Sequence, residues 1–250
     1  MRVATFNVQK LGRSKLELPE VAAELVKALR RYPLVAVQEL SDASEQAPFE
    51  LLERLNDEGQ RYEISLSERT GREPSDASFR EQYAFYYDRE RIDLLGAGRL
   101  YDDSARDSFV REPYLARFRA RGGLTFVAIT VHTQPDNTLS ELARLPEVLT
   151  WASAQFPDER NLLLLGDLNA SCDYAENDEL DALELRQGGY TWLVPDDADT
   201  TAGASHCAYD RIIVNDALLG SVTGAWGVDS AIGDGVSDHL PVWVELGALR

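Results

Sequence analysis

The stretch N-L-L-L-L-G-D-L-N-A, residues 161–170, is an apolar run that ends abruptly on an acid and an amide. Asn161–Leu165 reads as a buried strand. Gly166 allows close backbone approach just before Asp167. Working outward, the same pattern recurs along the chain. Val3–Val8 is an apolar strand that carries Asn7 near its end, and Leu34–Gln38 runs directly into Glu39. Leu115–Ala120 and Leu124–Val131 flank Gly122-Gly123, a hairpin signal, and the second of them leads to His132. Asp210 precedes Arg211–Val214, and Asp238-His239 precede Pro241–Leu246. Eight residues able to serve metal-assisted phosphodiester chemistry thus sit at strand ends: Asn7, Glu39, His132, Asp167, Asn169, Asp210, Asp238 and His239. A rigid sheet whose strand ends deliver oxygen and imidazole groups to one rim is a way to build an active site.

Further strands are expected at Tyr62–Leu66, Gln82–Tyr87 and Ile92–Leu100, and an exposed polar loop at Ser67–Ser78. Helical spacing places helices at Pro19–Arg31, Pro48–Leu55 and Thr138–Phe156, the last with Thr138 and Glu141 at capping-box spacing. Strands dominate and helices fall between some of them. The expected class is α/β, with two packed, mostly antiparallel sheets and outer helices in one domain spanning residues 1–250.

The chain has 250 residues, 44% of them hydrophobic and 27% charged, the composition of a globular protein. No apolar run approaches ~20 residues, so no membrane span is expected. The net charge is −18, from 43 acids against 25 Lys and Arg. This is unusual for a protein that meets a polyanion, since nucleic-acid binders carry a basic footprint. General solubility is one reading. Adaptation to high salt is the other, because carboxylate repulsion is screened there. Only three lysines occur, Lys10, Lys15 and Lys27. Cys172 and Cys207 lie just after Asn169 and just before Asp210. If those motifs converge, a bridge closes a loop of about 36 residues, worth about 3–4 kcal/mol. Two free thiols in a reducing cytosol are the alternative; a bridge argues for an extracytoplasmic home.

Glu39, Asp167 and Asp238 are carboxylates of the kind a hard divalent cation takes as ligands. Each taken alone is more often a turn former. The chain has three histidines. His132 and His239 adjoin strand ends, and imidazole has the pKa for proton transfer near neutrality. Candidate acid partners are Glu81 for His132 and Asp210 for His239. His206, beside Cys207, reads as structural or incidental. Asn169 offers an amide donor to a phosphate oxygen. Arg111 offers a bidentate phosphate clamp, or else a plain ion pair.

The whole set resembles the endonuclease/exonuclease/phosphatase superfamily and, within it, the deoxyribonuclease I family. The match runs from Ala4 to Glu245. D-S-F-V-R-E-P (Asp107–Pro113), W-L-V-P-D-D-A-D-T-T-A (Trp192–Ala202) and C-A-Y-D-R-I (Cys207–Ile212) carry the specific part of it. The resemblance implies a four-layer α/β/β/α sandwich. It implies Mg²⁺- or Mn²⁺-dependent hydrolysis of double-stranded DNA with little sequence specificity, leaving 5′-phosphate ends. By position, Glu81–His132 and Asp210–His239 become acid–imidazole pairs, and Asn7, Glu39, Asp167 and Asp238 hold metal. Asn169 contacts the scissile phosphate, and Cys172–Cys207 matches a structural disulfide.

The resemblance also implies two structural Ca²⁺ sites. One uses Asp199, Thr201 and the backbone through Ser205; the other uses Asp103 or Asp102, Asp107, the Phe109 carbonyl and Glu112. Several departures accompany it. A small second disulfide before Asp107 is absent, and the loop Asp102–Arg106 is shorter. Gln9 and Ser41 stand where the family places groove-binding arginines, and Phe79 stands at its groove-stacking tyrosine. The resulting expectation is a secreted or extracytoplasmic monomeric deoxyribonuclease, with a further DNA-binding domain outside these residues as an open option. The competing expectations are a phosphatase or phospholipid phosphodiesterase of the same superfamily, and a non-catalytic binding module on the same scaffold.

Overall fold

In the computed structural model, residues 1–71, 80–233 and 235–247 are described. The chain begins β1 (Arg2–Leu11), α1 (Arg13–Leu16), α2 (Pro19–Leu29), β2 (Leu34–Leu40), α3 (Ala47–Asn56), β3 (Tyr62–Leu66), β4 (Gln82–Asp88). It continues β5 (Ile92–Leu94), β6 (Arg99–Leu100), β7 (Tyr114–Ala120), β8 (Thr125–His132), α4 (Thr138–Leu142), α5 (Leu145–Gln155), β9 (Leu162–Asp167). Last come α6 (Asn177–Asp181), β10 (Tyr190–Trp192), β11 (Asp210–Asn215), α7 (Asp216–Leu219), β12 (Val222–Val228) and β13 (Val242–Leu246).

The four leucines of β9 show how the layers arise. Leu163 and Leu165 join the core between the sheets, while Leu162 and Leu164 join the core under the helices. Side chains alternate across a strand, so a strand apolar at every position must be covered on both faces. One sheet has the order β12-β13-β1-β2-β4-β3, the other β10-β11-β9-β8-β7-β5 with β6 on β7. Helices α1–α3 cover the first sheet through Leu16, Leu25, Leu29, Leu51 and Leu55. Helices α4 and α5 cover the second through Leu142, Leu145, Val148 and Leu149. The result is the α/β/β/α sandwich. Pairing is antiparallel except for β1–β2 and β8–β9. Among the described residues, no helix is long and apolar enough to cross a membrane.

Several local expectations need correction. The helix expected at Thr138–Phe156 is two, broken at Ala143-Arg144, with Pro146 in the first turn of α5. Proline lacks the N–H that a continuous helix would need, which makes it a start rather than an interior residue. Thr138 and Glu141 form no capping box. Asn137 is the N-cap, and Glu141 instead accepts from the amides of Val110 (3.0 Å) and Gln134 (3.1 Å). The strand expected over Ile92–Leu100 divides into β5 and β6 around Gly96, whose φ is +91°. Strands β10 and β12 and helices α1, α6 and α7 are additional. Of the expected loop Ser67–Ser78, residues 72–78 lie outside the described residues, as does Phe79. Ser67 at its start is buried, and its hydroxyl accepts from the Tyr83 amide (2.8 Å).

Candidate active site

Strand alternation positions the site. Val3, Thr5 and Asn7 share the inner face of β1, and Leu163, Leu165 and Asp167 share the inner face of β9. The last inward residue of each strand lies at the same rim, and Asn7 Nδ2 donates to Asp167 Oδ2 across the sandwich (2.9 Å). His132 ends the adjoining β8 in register with Asp167. Asp210 opens β11, paired with Asp167 from the other side. Gly166 permits this packing, since a Cβ there would collide with the Val131 carbonyl.

Glu39 breaks the alternation. Leu34 and Ala36 face inward and Val35 and Val37 outward, so regular pleating would turn Glu39 toward the helices. Its backbone is left-handed (φ +62°), the ladder slips between Val37 and Leu40, and the carboxylate accepts from Asn7 Nδ2 (2.9 Å). Gln9, Lys10 and Asn169 are left-handed as well (φ +46°, +52° and +46°). Non-glycine residues held this way cost of order 1 kcal/mol or more each, and such strain gathers where side chains must be aimed. Gln9 N–H donates to Asn7 Oδ1 (2.9 Å), Lys10 N–H to Glu39 Oε2 (2.8 Å), and Asn169 N–H to Asp167 Oδ1 (3.1 Å).

Two imidazoles converge on Asp167. His132 Nδ1 meets Glu81 Oε1 at 2.8 Å, and its Nε2 lies 3.5 Å from Asp167 Oδ2. His239 Nδ1 meets Asp210 Oδ2 at 2.8 Å, and its Nε2 lies 3.4 Å from the same Asp167 oxygen. Burial opposes the His239 charge, but Asp210 and Asp167 outweigh it and hold the group up to about 10. His132 is also shifted upward: burial and Arg111 oppose its charge, and Glu81 and Asp167 prevail. Burial raises Asp210, whereas Asp167 is lowered despite burial, because both imidazoles and Asn7 stabilise its anion.

Arg111 is buried behind this cluster. Its guanidinium pairs with Glu81 Oε1 (2.7 Å) and donates to the carbonyls of His132 (3.1 Å) and Thr133 (3.0 Å). The structure therefore shows the ion-pair alternative for Arg111. Asn169 Nδ2 donates to the Thr133 carbonyl (2.9 Å). Gln9 and Ser41 are half-buried on the same rim.

For a hard cation, Glu39 and Asp167 present carboxylate oxygens on either side of Asn7, which suits oxygen coordination. The Asn7 oxygen itself is turned to Gln9 N–H, so in this conformation Asn7 aligns the two acids. Asp238 is exposed at the same rim, and both it and Glu39 act on the charge of Lys15. A second grouping, Asp167, Asp210 and His239, brings three ligand atoms within 4.8 Å of one another. Asp210 Oδ1 there is buried and has no hydrogen-bond partner among the described residues. Because His239 Nδ1 is already engaged by Asp210, the Glu39–Asp167 side fits a hard ion better.

The two loops considered for calcium are ordered differently. Asp199 Oδ1 accepts from Thr201 N–H (3.1 Å) and Oγ1 (2.8 Å), and its Oδ2 meets His206 Nδ1 (2.6 Å). This loop bears on the site, since Ala202 N–H donates to Asp238 O and Leu240 N–H to Thr200 O (both 2.8 Å). In the other loop Asp103 Oδ2 accepts from Phe109 N–H (2.7 Å), and Glu112 is paired with the Thr70 hydroxyl. Asp103 and Glu112 line a cavity of about 300 Å³ together with Arg69 and Arg80. Asp107 is exposed beside it. Two guanidiniums at that cavity work against a cation.

Cys172 and Cys207 are joined by a disulfide, and among the described residues no cysteine is free. The sequence reading missed two supports. Buried Arg211 donates to the carbonyls of Ala170 (2.7 Å), Val194 (3.0 Å) and Pro195 (2.9 Å) and pairs with Asp196 (2.9 Å). Burial lowers its pKa to about 10. A guanidinium inside the apolar run R-I-I-V was the available signal. The other is Glu141, which ties the Val110 and Gln134 segments together behind Arg111 and His132.

Residues 4–239 match the Endonuclease/Exonuclease/phosphatase family. Deoxyribonuclease-1 of Equus caballus is 31% identical over 265 residues, covering 98% of this chain and 92% of that protein. Deoxyribonuclease-1 of Homo sapiens is 32% identical over 265 residues, with the same coverage of 98% and 92%. Among solved structures, an endonuclease/exonuclease/phosphatase family protein from Leptotrichia buccalis superposes with a TM-score of 0.69 at 18% identity. It covers 98% of this chain and 99% of that one. One from Bacteroides vulgatus gives 0.65 at 17%, covering 98% of each. At these identities the two structures speak for the fold alone.

Proposed function

Because the chain belongs to the deoxyribonuclease I family of the endonuclease/exonuclease/phosphatase superfamily, we propose that it is a hydrolase that cleaves phosphodiester bonds of double-stranded DNA. It does so as a metal-dependent endonuclease with low sequence specificity, leaving 5′-phosphate ends. The observation that carries this reading is the pair of imidazoles on one Asp167 oxygen, each backed by its own acid.

Mg²⁺ or Mn²⁺ held by Glu39 and Asp167, with Asn7 and Asp238 beside them, would supply charge stabilisation at the phosphoryl oxygens. Everything else falls to the chain. Glu81 and Asp210 fix the Nδ1 side of each ring, which leaves both Nε2 atoms facing the reacting phosphate. His132, held toward its charged form, gives a proton to the leaving 3′-oxygen. His239 takes the proton of the attacking water. It starts charged, so its Nε2 proton must first pass to solvent, which engagement of the Asp167 charge elsewhere favours. Asp167 orienting the water is the variant of this step. Asn169, Gln9, Ser41 and Phe79 contact DNA phosphates and sugars, which positions the duplex without reading sequence, while buried Arg111 supports the site from behind through Glu81.

Further parts complete the proposal. Residues 1–250 act as a single, monomeric catalytic domain. Asp199 and Thr201 are the place for a structural Ca²⁺, whereas Arg69 and Arg80 count against one among Asp103, Asp107, Phe109 and Glu112. The disulfide fits a secreted or extracytoplasmic home, and the charge of −18 fits work at high salt. Comparing hydrolysis of plasmid DNA with that of an inositol phosphate and a phospholipid tests the substrate class. Preference for plasmid supports the proposal. Preference for either small phosphoester would replace it with a phosphatase or phospholipase, and no hydrolysis of any would leave a binding module.

A further inference from the structure

Lys15 belongs to no role assigned above, yet it touches the site through the backbone. β1 pairs with β2 up to Asn7 and resumes at Leu11. Between them, left-handed Gln9 and Lys10 pull the backbone out of the ladder. The carbonyls of Val8 and Gln9 then need other partners. The Lys15 ammonium, half-buried on α1, takes both: Nζ donates to Val8 O (2.8 Å) and to Gln9 O (2.7 Å).

These two carbonyls belong to the same peptide units as two amides already described. The Val8–Gln9 peptide donates its N–H to Asn7 Oδ1 (2.9 Å), and the Gln9–Lys10 peptide donates its N–H to Glu39 Oε2 (2.8 Å). One cation therefore grips the oxygen end of both peptides, while Asn7 and Glu39 receive the hydrogen ends. A charge at a peptide carbonyl polarises the opposite N–H and fixes its direction. It also holds a left-handed pair that would otherwise relax.

We propose that Lys15 is a positioning residue that sets the divalent-cation affinity of the Glu39–Asp167 cluster by locking these two peptide units. This rests on the cation reading of the site given above. The direction of the effect is diagnostic. Glu39 and Asp238 both act on the Lys15 charge. Its positive charge alone would repel an incoming cation, so removing it would tighten binding. Removing the lock would loosen binding instead, because outer partners that orient metal ligands are typically worth about 10–100-fold in affinity.

The test is Mn²⁺ binding to the full chain, followed by electron paramagnetic resonance of the free ion with no DNA present, alongside the melting temperature. Lys15→Met is expected to weaken Mn²⁺ binding about tenfold, and Lys15→Arg, which keeps charge and donors, to recover most of it. A folded Lys15→Met that binds Mn²⁺ as well as or better than the native chain overturns the proposal. So does Lys15→Arg binding as poorly as Lys15→Met. If Lys15→Met does not fold, Lys15→Gln is judged by the same criteria. A native chain that binds no Mn²⁺ overturns the cation reading and this role with it. A native chain that binds Mn²⁺ but cleaves no DNA overturns only the nuclease assignment.

Discussion

His132 and His239 share one carboxylate oxygen: their Nε2 atoms lie 3.5 and 3.4 Å from Asp167 Oδ2. Two imidazoles are thus held apart by a single anion and supported from opposite directions, by Glu81 in front of β4 and Asp210 at the start of β11. Five chain segments must be in place for this to exist, which makes the cluster a sensitive reporter of the fold as well as of the chemistry.

The shared anion has a pH consequence in the chelated protein. With its pKa held up to about 10, His239 is protonated through neutrality. A folded pKa above the ordinary value of 6.5 contributes stability that is complete below 6.5 and is lost as pH rises toward about 10. NMR titration of the imidazoles in EDTA should give His239 a midpoint far above 6.5, and Asp167→Asn should lower it. An unshifted midpoint in the native chain contradicts the geometry.

The Cys172–Cys207 bridge spans a sequence separation of 35. It ties the segment after Asn169 to the segment before Asp210. Replacing both cysteines with alanine should destabilise the chain by about 3–4 kcal/mol, on the chain-entropy estimate. Chemical denaturation would show this as a lower midpoint with little change in slope. An unchanged midpoint would mean that Arg211, which grips the same loops, suffices.

Salt separates the two readings of the charge. Contacts between basic side chains and phosphate lose orders of magnitude in affinity by about 0.2 M salt. Here Gln9 and Ser41 occupy the rim positions at issue, and Arg111 is committed to Glu81. Cleavage should therefore depend only weakly on NaCl, and a rate that collapses by about 0.2 M would count against adaptation to high salt.

Much of the sandwich was legible because period-two burial is written directly into runs such as Leu162–Leu165. Strand ends carrying acids and imidazoles then gave the rim. What the sequence hid was local. Nothing in V-Q-E-L announces that Glu39 leaves the pleat, because left-handed φ at a glutamate is a response to tertiary packing. The break before Pro146 was visible as a proline, but helical periodicity ran across it. Glu141 had capping-box spacing, yet two distant amides, those of Val110 and Gln134, claimed its carboxylate. Strands β10 and β12 are short or exposed, so they lack the apolar run that marks β9.

The most direct measurement is nicking of supercoiled plasmid by the native chain, His132→Ala and His239→Ala, each with Mg²⁺ and with EDTA. Acid–base groups of this kind contribute about 10²–10⁴-fold to rate. The native chain should nick only with Mg²⁺. Each variant should fall by about that factor while remaining cooperatively folded, at a lower melting temperature because a buried acid loses its partner. Near-native nicking by both variants, or undiminished nicking in EDTA, would contradict the assignment of the Asp167 cluster as the catalytic centre.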